Sequence, residues 1–233
     1  MPNTMSVYPV PAPVQDQPFD LLNTLLGALE LAGVTVQTGD VIAVSSKYAA
    51  ISEGRVVNLA DVVVTAEAQQ MATEHQMLPA VAQLVMDEAD HIYSGMHLGF
   101  MLTAKDGVLA PNAGLDRSNI PSGKAVLYSQ APYQTAAQLR LGLQAATHQQ
   151  VGVILTDSWL IPGRLGTSGV ALASAGFEPI HDGRSITDLI ATTAELVMGE
   201  RAEATPFAVV RGAPVTLTDA PITMEDVAVQ WRG

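Results

Sequence analysis

The sequence predicts an α+β fold, and three observations support that prediction. Helical and extended patterns mix along the chain without the regular strand–helix alternation of a doubly wound sheet. A hairpin signal lies in the middle, where the apolar segments 100–103 and 108–111 flank the turn residues Ala-Lys-Asp-Gly at 104–107. No internal repeat, low-complexity tract or clear linker interrupts the chain, so we expect a single domain over residues 1–233, as one body or as two lobes.

The first half of the chain is predicted to contain strands and helices in irregular order. Its clearest helix follows Asp20, a typical N-cap residue, has leucine at 21, 22, 25, 26 and 29, and ends at Gly33. The apolar run at 40–45 predicts a buried strand. In order, the expected elements are a strand at 7–10, a helix at 21–33, a strand at 40–45, helices at 65–74 and 78–88, and the central hairpin.

The second half is predicted to continue this mixture. The run Val-Gly-Val-Ile-Leu at 151–155 is rich in β-branched residues and predicts a buried strand that stops on Thr156 and Asp157. A glycine-rich loop at 162–169 precedes the next strand. In order, the expected elements are a strand at 125–128, a helix at 135–147, strands at 151–155 and 170–175, a helix at 186–198 stopped by Gly199, and a strand at 207–211.

Composition and charge argue against several classes of protein. With 48% hydrophobic and 15% charged residues among 233, the chain has ample core-forming side chains and is not typical of a disordered protein. It has no cysteine, which excludes disulfides and thiolate metal ligands. The net charge of −12, without a Lys/Arg cluster, argues against a nucleic-acid partner. No apolar run is long enough for a membrane helix and residues 1–10 do not resemble a signal peptide, so we expect a cytoplasmic protein without a membrane partner.

Two aspartates are the strongest candidates for chemistry. Asp116 lies in the small, polar segment Asn-Ala-Gly-Leu-Asp-Arg-Ser-Asn at 112–119, and Asp157 follows the apolar run at 151–155. A carboxylate at the end of a buried strand is costly unless a cation or several hydrogen-bond donors meet it. If the two carboxylates converge, they form a site for a hard cation such as Mg²⁺, which commonly holds nucleotide phosphates. Taken separately, Asp116 has a plain explanation as a turn residue and Asp157 as a helix N-cap.

Other residues extend this hypothesis of a phosphate site. The chain lacks a P-loop, a dinucleotide-binding glycine motif and a nucleophile elbow. In so acidic a protein, a phosphate ligand needs a metal and local cations. Lys47, just beyond the strand at 40–45, is placed to meet a phosphate or a carboxylate, although a solvated lysine is an equally simple interpretation. The remaining cation candidates are Arg55, Arg117, Arg164 and Arg184, and Glu53 and Asp182 are further metal candidates.

An ordered set of short motifs goes beyond composition. In chain order they are Gly39-Asp40-Val41, Ser52-Glu53-Gly54-Arg55, the residues at 112–119 and 151–158, Leu196-Val197-Met198-Gly199, and Val209-Val210-Arg211-Gly212. Together they resemble the γ-glutamyl ligases that add glutamate to the precursor of the deazaflavin coenzyme F420. The resemblance covers nearly the whole chain, from about residue 7 to residue 212.

The resemblance implies a fold, a reaction and partners. The fold is a mixed one with antiparallel sheets and flanking helices, unlike P-loop or ATP-grasp enzymes, in an intertwined homodimer. In the reaction, GTP phosphorylates the acceptor carboxylate, and the amine of L-glutamate attacks the acyl phosphate to form an amide. Mg²⁺ or Mn²⁺ assists, because a divalent ion bridging the phosphates offsets the charge that develops during transfer.

The resemblance also assigns roles to individual residues. Asp116 and Asp157 would be metal ligands, together with Ser158, which stands where the family usually has threonine. Arg164 would contact a phosphate. Nucleotide contacts would come from Ser45, Ser46, Lys47 and Asn119, of which Lys47 matches a lysine common just upstream of the family's nucleotide-facing lysine.

Departures from the family pattern leave more than one function open. Ile51 stands where the family has its nucleotide-facing lysine, and the segment between Gly176 and Met198 is shorter than the family's. The first hypothesis is a ligase whose acceptor is the deazaflavin precursor, a folate-like pterin or another carboxylate. The second is a non-catalytic relative that retains the fold and binds a nucleotide or cofactor.

Overall fold

The computed structural model describes residues 4–96, 99–199 and 203–223. Both ends of the expected 1–233 domain therefore lie outside the described residues. The strands in these ranges are β1 (Ser6–Val10), β2 (Val41–Ser45), β3 (Val56–Asn58), β4 (His91–Met96), β5 (Phe100–Lys105), β6 (Val108–Pro111), β7 (Lys124–Val126), β8 (Gly152–Leu160), β9 (Thr167–Ala175), β10 (Ile180–His181), β11 (Arg184–Ser185) and β12 (Phe207–Arg211). The α helices are α1 (Leu21–Leu31), α2 (Ser46–Ser52), α3 (Ala66–His75), α4 (Pro79–Glu88), α5 (Pro132–Thr147) and α6 (Ile186–Met198).

The main sheet has five strands in the order β1-β12-β2-β8-β9. Its pairings are antiparallel except for β2–β8, which is parallel and places Ser45 opposite Thr156. Parallel neighbours bring their carboxyl ends to the same edge of a sheet. The next residues along the two strands, Ser46 and Asp157, therefore meet at this edge.

Side-chain alternation gives the main sheet two buried faces. Alternate residues of the central strands, such as Val44 and Leu155, pack with α1 and α5 in the largest apolar cluster. Their neighbours Ala43 and Ile154 point to the opposite face and pack against Ile190 and other residues of α6. The sheet is thus covered by α1 and α5 on one face and by α6 on the other.

A second group of elements packs beside the main sheet. Strands β4, β5 and β6 form an antiparallel sheet, and β3 pairs with β7. An apolar cluster that includes Val85 of α4, Met101 of β5 and Leu115 ties these elements together. Asp116 directly follows Leu115 and forms an antiparallel bridge with Val126 of β7, so this group fixes the backbone that carries Asp116.

Two residues from the quoted motifs hold the main sheet together. Asp40, immediately before β2, is fully buried and accepts hydrogen bonds from Arg211 at the end of β12, at 2.8 Å (Nε to Oδ1) and 2.7 Å (Nη2 to Oδ2). A buried carboxylate needs such a partner, because an unpaired charge is strongly disfavoured there. Asp40 and Arg211 therefore have a structural role in joining β2 to β12.

The predicted fold class is confirmed, as are most of its helices and strands. Asp20 caps α1 by accepting a hydrogen bond from the backbone N–H of Asn23 at 2.9 Å, and Gly33 beyond the helix has a φ of 65°. The central hairpin forms as β5 and β6. The prediction missed α2, β3, β4 and the short strands β10 and β11, and it began α5 three residues late, since Pro132 starts that helix. A proline at the first helical turn is well tolerated, because it lacks only an N–H that would be unpaired there.

The prediction that the strand beginning at 151 stops on Asp157 is wrong. Strand β8 continues to Leu160, pairing with β9 through a register shift between Leu155 and Thr156. Asp157 thus lies within a strand, which also rules out the alternative that it is a helix N-cap. The alternative for Asp116 is correct, since its Oδ1 accepts a hydrogen bond from the backbone N–H of Ser118 at 2.7 Å, as turn aspartates do.

None of the helices in the described ranges is both long and apolar enough to cross a membrane. The intertwined homodimer implied by the resemblance stays a prediction.

Candidate functional site

A cavity of about 400 Å³ opens where the parallel pairing between β2 and β8 ends. Asp116 and Asp157 both line it, although they come from different sheets. The sequence-predicted residues Ser45, Lys47, Asn119 and Ser158 line the same cavity. Ser46 adjoins it through its hydroxyl group, which donates a hydrogen bond to Asp157. The cavity therefore brings together seven of the eight predicted site residues.

Asp157 is held in place by uncharged donors. Its Oδ2 accepts a 2.7 Å hydrogen bond from the Ser46 hydroxyl, and its Oδ1 accepts a 2.8 Å bond from the backbone N–H of Ser158. Burial raises the pKa of Asp157; the bond from Ser46 opposes this rise, and the nearby charge of Asp116 adds to it. A buried carboxylate that lies near a second carboxylate forms a site that a cation would stabilise.

Asp116 already has a cation beside it. The Lys47 ammonium lies 3.0 Å from Asp116 Oδ2 and also donates a 3.1 Å hydrogen bond to the Ser118 carbonyl. The Ser118 hydroxyl donates to the same Oδ2 at 3.0 Å. Lys47 is the second residue of α2, directly beyond β2, so the strand–helix junction aims its ammonium across the cavity at the turn that carries Asp116.

The residues present fit a divalent cation that is shared with a phosphate ligand. No group of three His, Cys, Asp or Glu side chains converges for metal binding within the described ranges. Mg²⁺ is commonly held by one or two carboxylates together with water and substrate phosphates, rather than by a cage made wholly of protein. Asp116, Asp157 and the Ser158 hydroxyl supply that kind of partial, all-oxygen set. The Lys47 ammonium against Asp116 shows directly that the turn accommodates positive charge.

Arg164 is the predicted site residue that does not reach the cavity. It is exposed in the loop between β8 and β9, where its guanidinium donates to the carbonyl of Gly163 at 3.2 Å, and it is not among the lining residues. Its predicted contact with a phosphate stays a prediction.

Three other candidates have structural partners elsewhere. Glu53, proposed as a metal ligand, caps the end of α2 and accepts hydrogen bonds from Ser129, Gln130 and Thr135. Arg55 pairs with Glu88 at 2.8 Å and donates to a backbone carbonyl. Asp182 is exposed beside His181, near the turn between β10 and β11. None of these three lines the cavity.

Ile51 forms an apolar part of the cavity wall. It lies on α2, is only 3% exposed and packs with Ala50 and Val126. The position where the resemblance expects a nucleotide-facing lysine therefore faces both the cavity and a small apolar cluster.

Sequence reasoning missed a third carboxylate in the cavity. Glu195 on α6 accepts hydrogen bonds from the Thr156 hydroxyl at 3.0 Å and from the Ser158 hydroxyl at 2.6 Å, and it lines the cavity. Nothing local in the sequence links it to β8.

Fold and cavity together define an α+β protein with a cavity beside its main sheet, whose walls combine apolar side chains with several carboxylates. The family model for F420-0:gamma-glutamyl ligase matches residues 10–212, so the chain belongs to that family. This confirms the resemblance seen in the motifs.

Several curated relatives agree. The coenzyme F420:L-glutamate ligase of Methanopyrus kandleri is 30% identical over 227 residues, which cover 90% of this chain and 87% of the relative. The enzyme of the same name from Halobacterium salinarum is 34% identical, with 80% of each chain covered. That from Methanothermobacter thermautotrophicus is 29% identical, covering 84% of this chain and 83% of the relative.

Proposed function

We propose that this protein is a γ-glutamyl ligase that joins an acceptor carboxylate to the amine of L-glutamate at the expense of a nucleoside triphosphate, GTP. The observation that supports this most strongly is the convergence of Asp116 and Asp157 in one cavity with Lys47. Membership of the ligase family adds the reaction class, and the names of the relatives suggest the deazaflavin precursor of coenzyme F420 as the acceptor.

The proposed ligase reaction has two steps. An oxygen of the acceptor carboxylate attacks the terminal phosphorus of GTP, and the bond between that phosphorus and the bridging oxygen breaks. GDP departs, and the acceptor remains as an acyl phosphate. The amine of glutamate then attacks the carbonyl carbon, the bond to phosphate breaks, and the amine loses a proton as the amide forms. Phosphorylation is needed because a free carboxylate is a poor electrophile with no adequate leaving group.

The residues around the cavity would have different roles in binding the metal and the nucleotide. Asp116, Asp157 and Ser158 would hold Mg²⁺ or Mn²⁺, which when bound offsets phosphate charge. The Lys47 ammonium would transfer from Asp116 to a phosphate oxygen as the nucleotide binds. Ser45, Ser46 and Asn119 would contribute hydroxyl and amide hydrogen bonds to the nucleotide.

A second candidate function rests on Ile51. A ligase needs the phosphate charge compensated at several oxygens, and the apolar Ile51 supplies no such charge at a position lining the cavity. This favours, as the alternative, a non-catalytic relative that binds a nucleotide or cofactor. A third candidate is a ligase of the same family that acts on a folate-like or another acceptor.

One assay separates these proposals. The purified protein is incubated with Mn²⁺ or Mg²⁺, GTP, L-glutamate and either the deazaflavin precursor or a folate-like acceptor, and both phosphate release and the mass of the product are measured. We expect phosphate and glutamylated product in equal amounts with one acceptor. Nucleotide binding is measured in parallel by calorimetry. Binding of GTP without phosphate release with any acceptor would instead support the non-catalytic relative. Absence of nucleotide binding by folded protein would overturn the ligase and leave only a relative that binds another cofactor.

A further inference from the structure

Glu195 bridges two hydroxyl groups on the strand that carries Asp157. Its Oε1 accepts a 3.0 Å hydrogen bond from the Thr156 hydroxyl, and its Oε2 accepts a 2.6 Å bond from the Ser158 hydroxyl. These two hydroxyls come from the residues on either side of Asp157. The Glu195 carboxylate is therefore hydrogen-bonded to β8 on either side of Asp157, where two of the proposed metal ligands lie.

The close approach of α6 to β8 depends on a glycine in the neighbouring strand. Gly169 of β9 pairs with Ser158, and a Cβ atom built on Gly169 would lie 2.7 Å from the Thr192 Cα and 2.8 Å from the Glu195 Cγ. Such distances are too short for a side chain, so only glycine allows the helix to lie this near. The Thr192 hydroxyl fastens the contact by donating to the Gly169 carbonyl at 3.0 Å.

The direction of the Ser158 proton has a chemical consequence. A neutral hydroxyl binds a cation through an oxygen lone pair, so its proton must point away from the cation and toward an acceptor. Glu195 is such an acceptor, and the 2.6 Å bond is short, as expected for a hydroxyl donating to a carboxylate. Side chains that orient a metal ligand through a hydrogen bond commonly contribute to the affinity for the metal.

We propose that Glu195 is a positioning residue, which fixes the hydroxyl of Ser158 so that its lone pairs face the cation. This inference rests on the proposed function, because it assumes that a divalent ion binds between Asp116, Asp157 and Ser158. It adds a role for a residue on α6, placed by Gly169, that neither composition nor motif spacing indicates. Glu195 does not touch the reacting atoms in this role.

The test measures Mn²⁺ binding by electron paramagnetic resonance of the free ion, with GDP present and absent, so that no turnover is required. Glu195→Gln keeps the shape of the side chain but retains only one acceptor oxygen and gains a donor. Glu195→Asp keeps the charge but shortens the reach by one methylene. We expect each variant to bind Mn²⁺ about 10- to 100-fold more weakly than the unmodified protein. Glu30→Gln, an exposed substitution on α1, is the matched control for loss of one negative charge and should bind Mn²⁺ normally.

A double-variant cycle separates positioning from general structural support. If Glu195 acts through the Ser158 hydroxyl, Glu195→Gln should weaken Mn²⁺ binding little further in a Ser158→Ala background. Ser158→Thr, which restores a hydroxyl, should regain sensitivity to Glu195→Gln. Equal losses from Glu195→Gln with and without the Ser158 hydroxyl would overturn the inference, and so would unchanged Mn²⁺ affinity in both Glu195 variants.

Failure of this inference can be told apart from failure of the proposed function. If the unmodified protein binds Mn²⁺ and the Glu195 variants bind it equally well, the result supports the metal site and contradicts the positioning role of Glu195. If the unmodified protein, folded by its thermal denaturation profile, binds no Mn²⁺ with or without GDP, the metal site itself falls, and this inference with it. Should Glu195→Gln not fold, the charge-retaining Glu195→Asp variant decides the question alone.

Discussion

The two aspartates of the cavity are held in contrasting ways. Asp157 is fixed within a strand by a hydroxyl and a backbone N–H, and burial raises its pKa. Asp116 lies in a turn, is partly exposed and pairs with the Lys47 ammonium. The comparison indicates that Asp157 is the fixed point of the proposed cation site, and that Asp116 is the half whose charge is shared with a movable lysine.

Asp157→Asn should produce the largest effect on ligand binding. The substitution removes the charge that is rigidly held and compensated mainly by neutral donors, so we expect Mn²⁺ affinity to fall by at least about 100-fold, beyond the loss expected for a residue that only orients a ligand. Asp116→Asn should also weaken binding, but by less, because it simultaneously frees Lys47. Isothermal titration with MnCl₂ and GDP measures both losses. A larger loss in Asp116→Asn than in Asp157→Asn would reverse the comparison.

Lys47→Met should affect the metal and the nucleotide in opposite directions. Without the ammonium, Asp116 is available to a bare cation, so Mn²⁺ affinity in the absence of nucleotide should rise several-fold, consistent with about 1 kcal/mol or less for a partly exposed ion pair. Affinity for GDP in the presence of Mn²⁺ should fall, because a phosphate loses its lysine. Lys124→Met, which breaks the ion pair with Asp16, serves as the control and should leave both affinities unchanged. Parallel losses in both affinities would show that Lys47 does not exchange partners.

Ile51→Lys tests how the apolar part of the cavity wall affects nucleotide binding. Ile51 is buried against Ala50 and Val126, so a lysine must extend its ammonium into the cavity to stay solvated. We expect the denaturation midpoint to fall and the affinity for GDP to rise, restoring the charge typical of the family. Ile51→Met, similar in volume and uncharged, should change neither by much. A fall in GDP affinity of the lysine variant would show that the apolar wall itself contributes to binding.

The pH dependence of Asp157 should be the smallest of these effects but has a definite sign. Burial raises the pKa of folded-state Asp157 above its ordinary value of 3.8, so between those two pKa values the folded protein binds more protons than the unfolded chain. The group therefore contributes stability at low pH that is lost as pH rises through this window. The denaturation midpoint of Asp157→Asn, relative to that of the unmodified protein, should rise as pH increases from about 3.8 without added metal. A relative midpoint that falls over this range would contradict the assignment.

Much of the fold follows from the sequence, because its signals are local. The capped, leucine-rich α1 and the central hairpin have clear patterns. Helix α2 was missed because Ser45 ends β2 and also caps α2 without an intervening loop. The extent of β8 was missed because its outer half continues through the polar residues at 156–158, and their place in a strand is set by pairing with β9 rather than by hydrophobicity.

The candidate site was predictable in part. Asp116, Asp157, Lys47 and Ser158 carry recognisable chemistry, and the structure places all four at one cavity. Glu195 was not predictable, since its contact with β8 is set by helix packing over Gly169 in a different strand. Arg164 illustrates the reverse case, where a resemblance to the family's loop does not by itself bring a side chain into the cavity.

The most direct test of the central claim is a crystal structure with Mn²⁺ and GDP, in which the anomalous signal locates the ion. We expect an ion bound by oxygens of both Asp116 and Asp157 and by a phosphate oxygen of GDP, with the Lys47 ammonium moved from Asp116 to the nucleotide. An ion bound elsewhere, or GDP bound while Lys47 still pairs with an Asp116 that touches no metal, would contradict it.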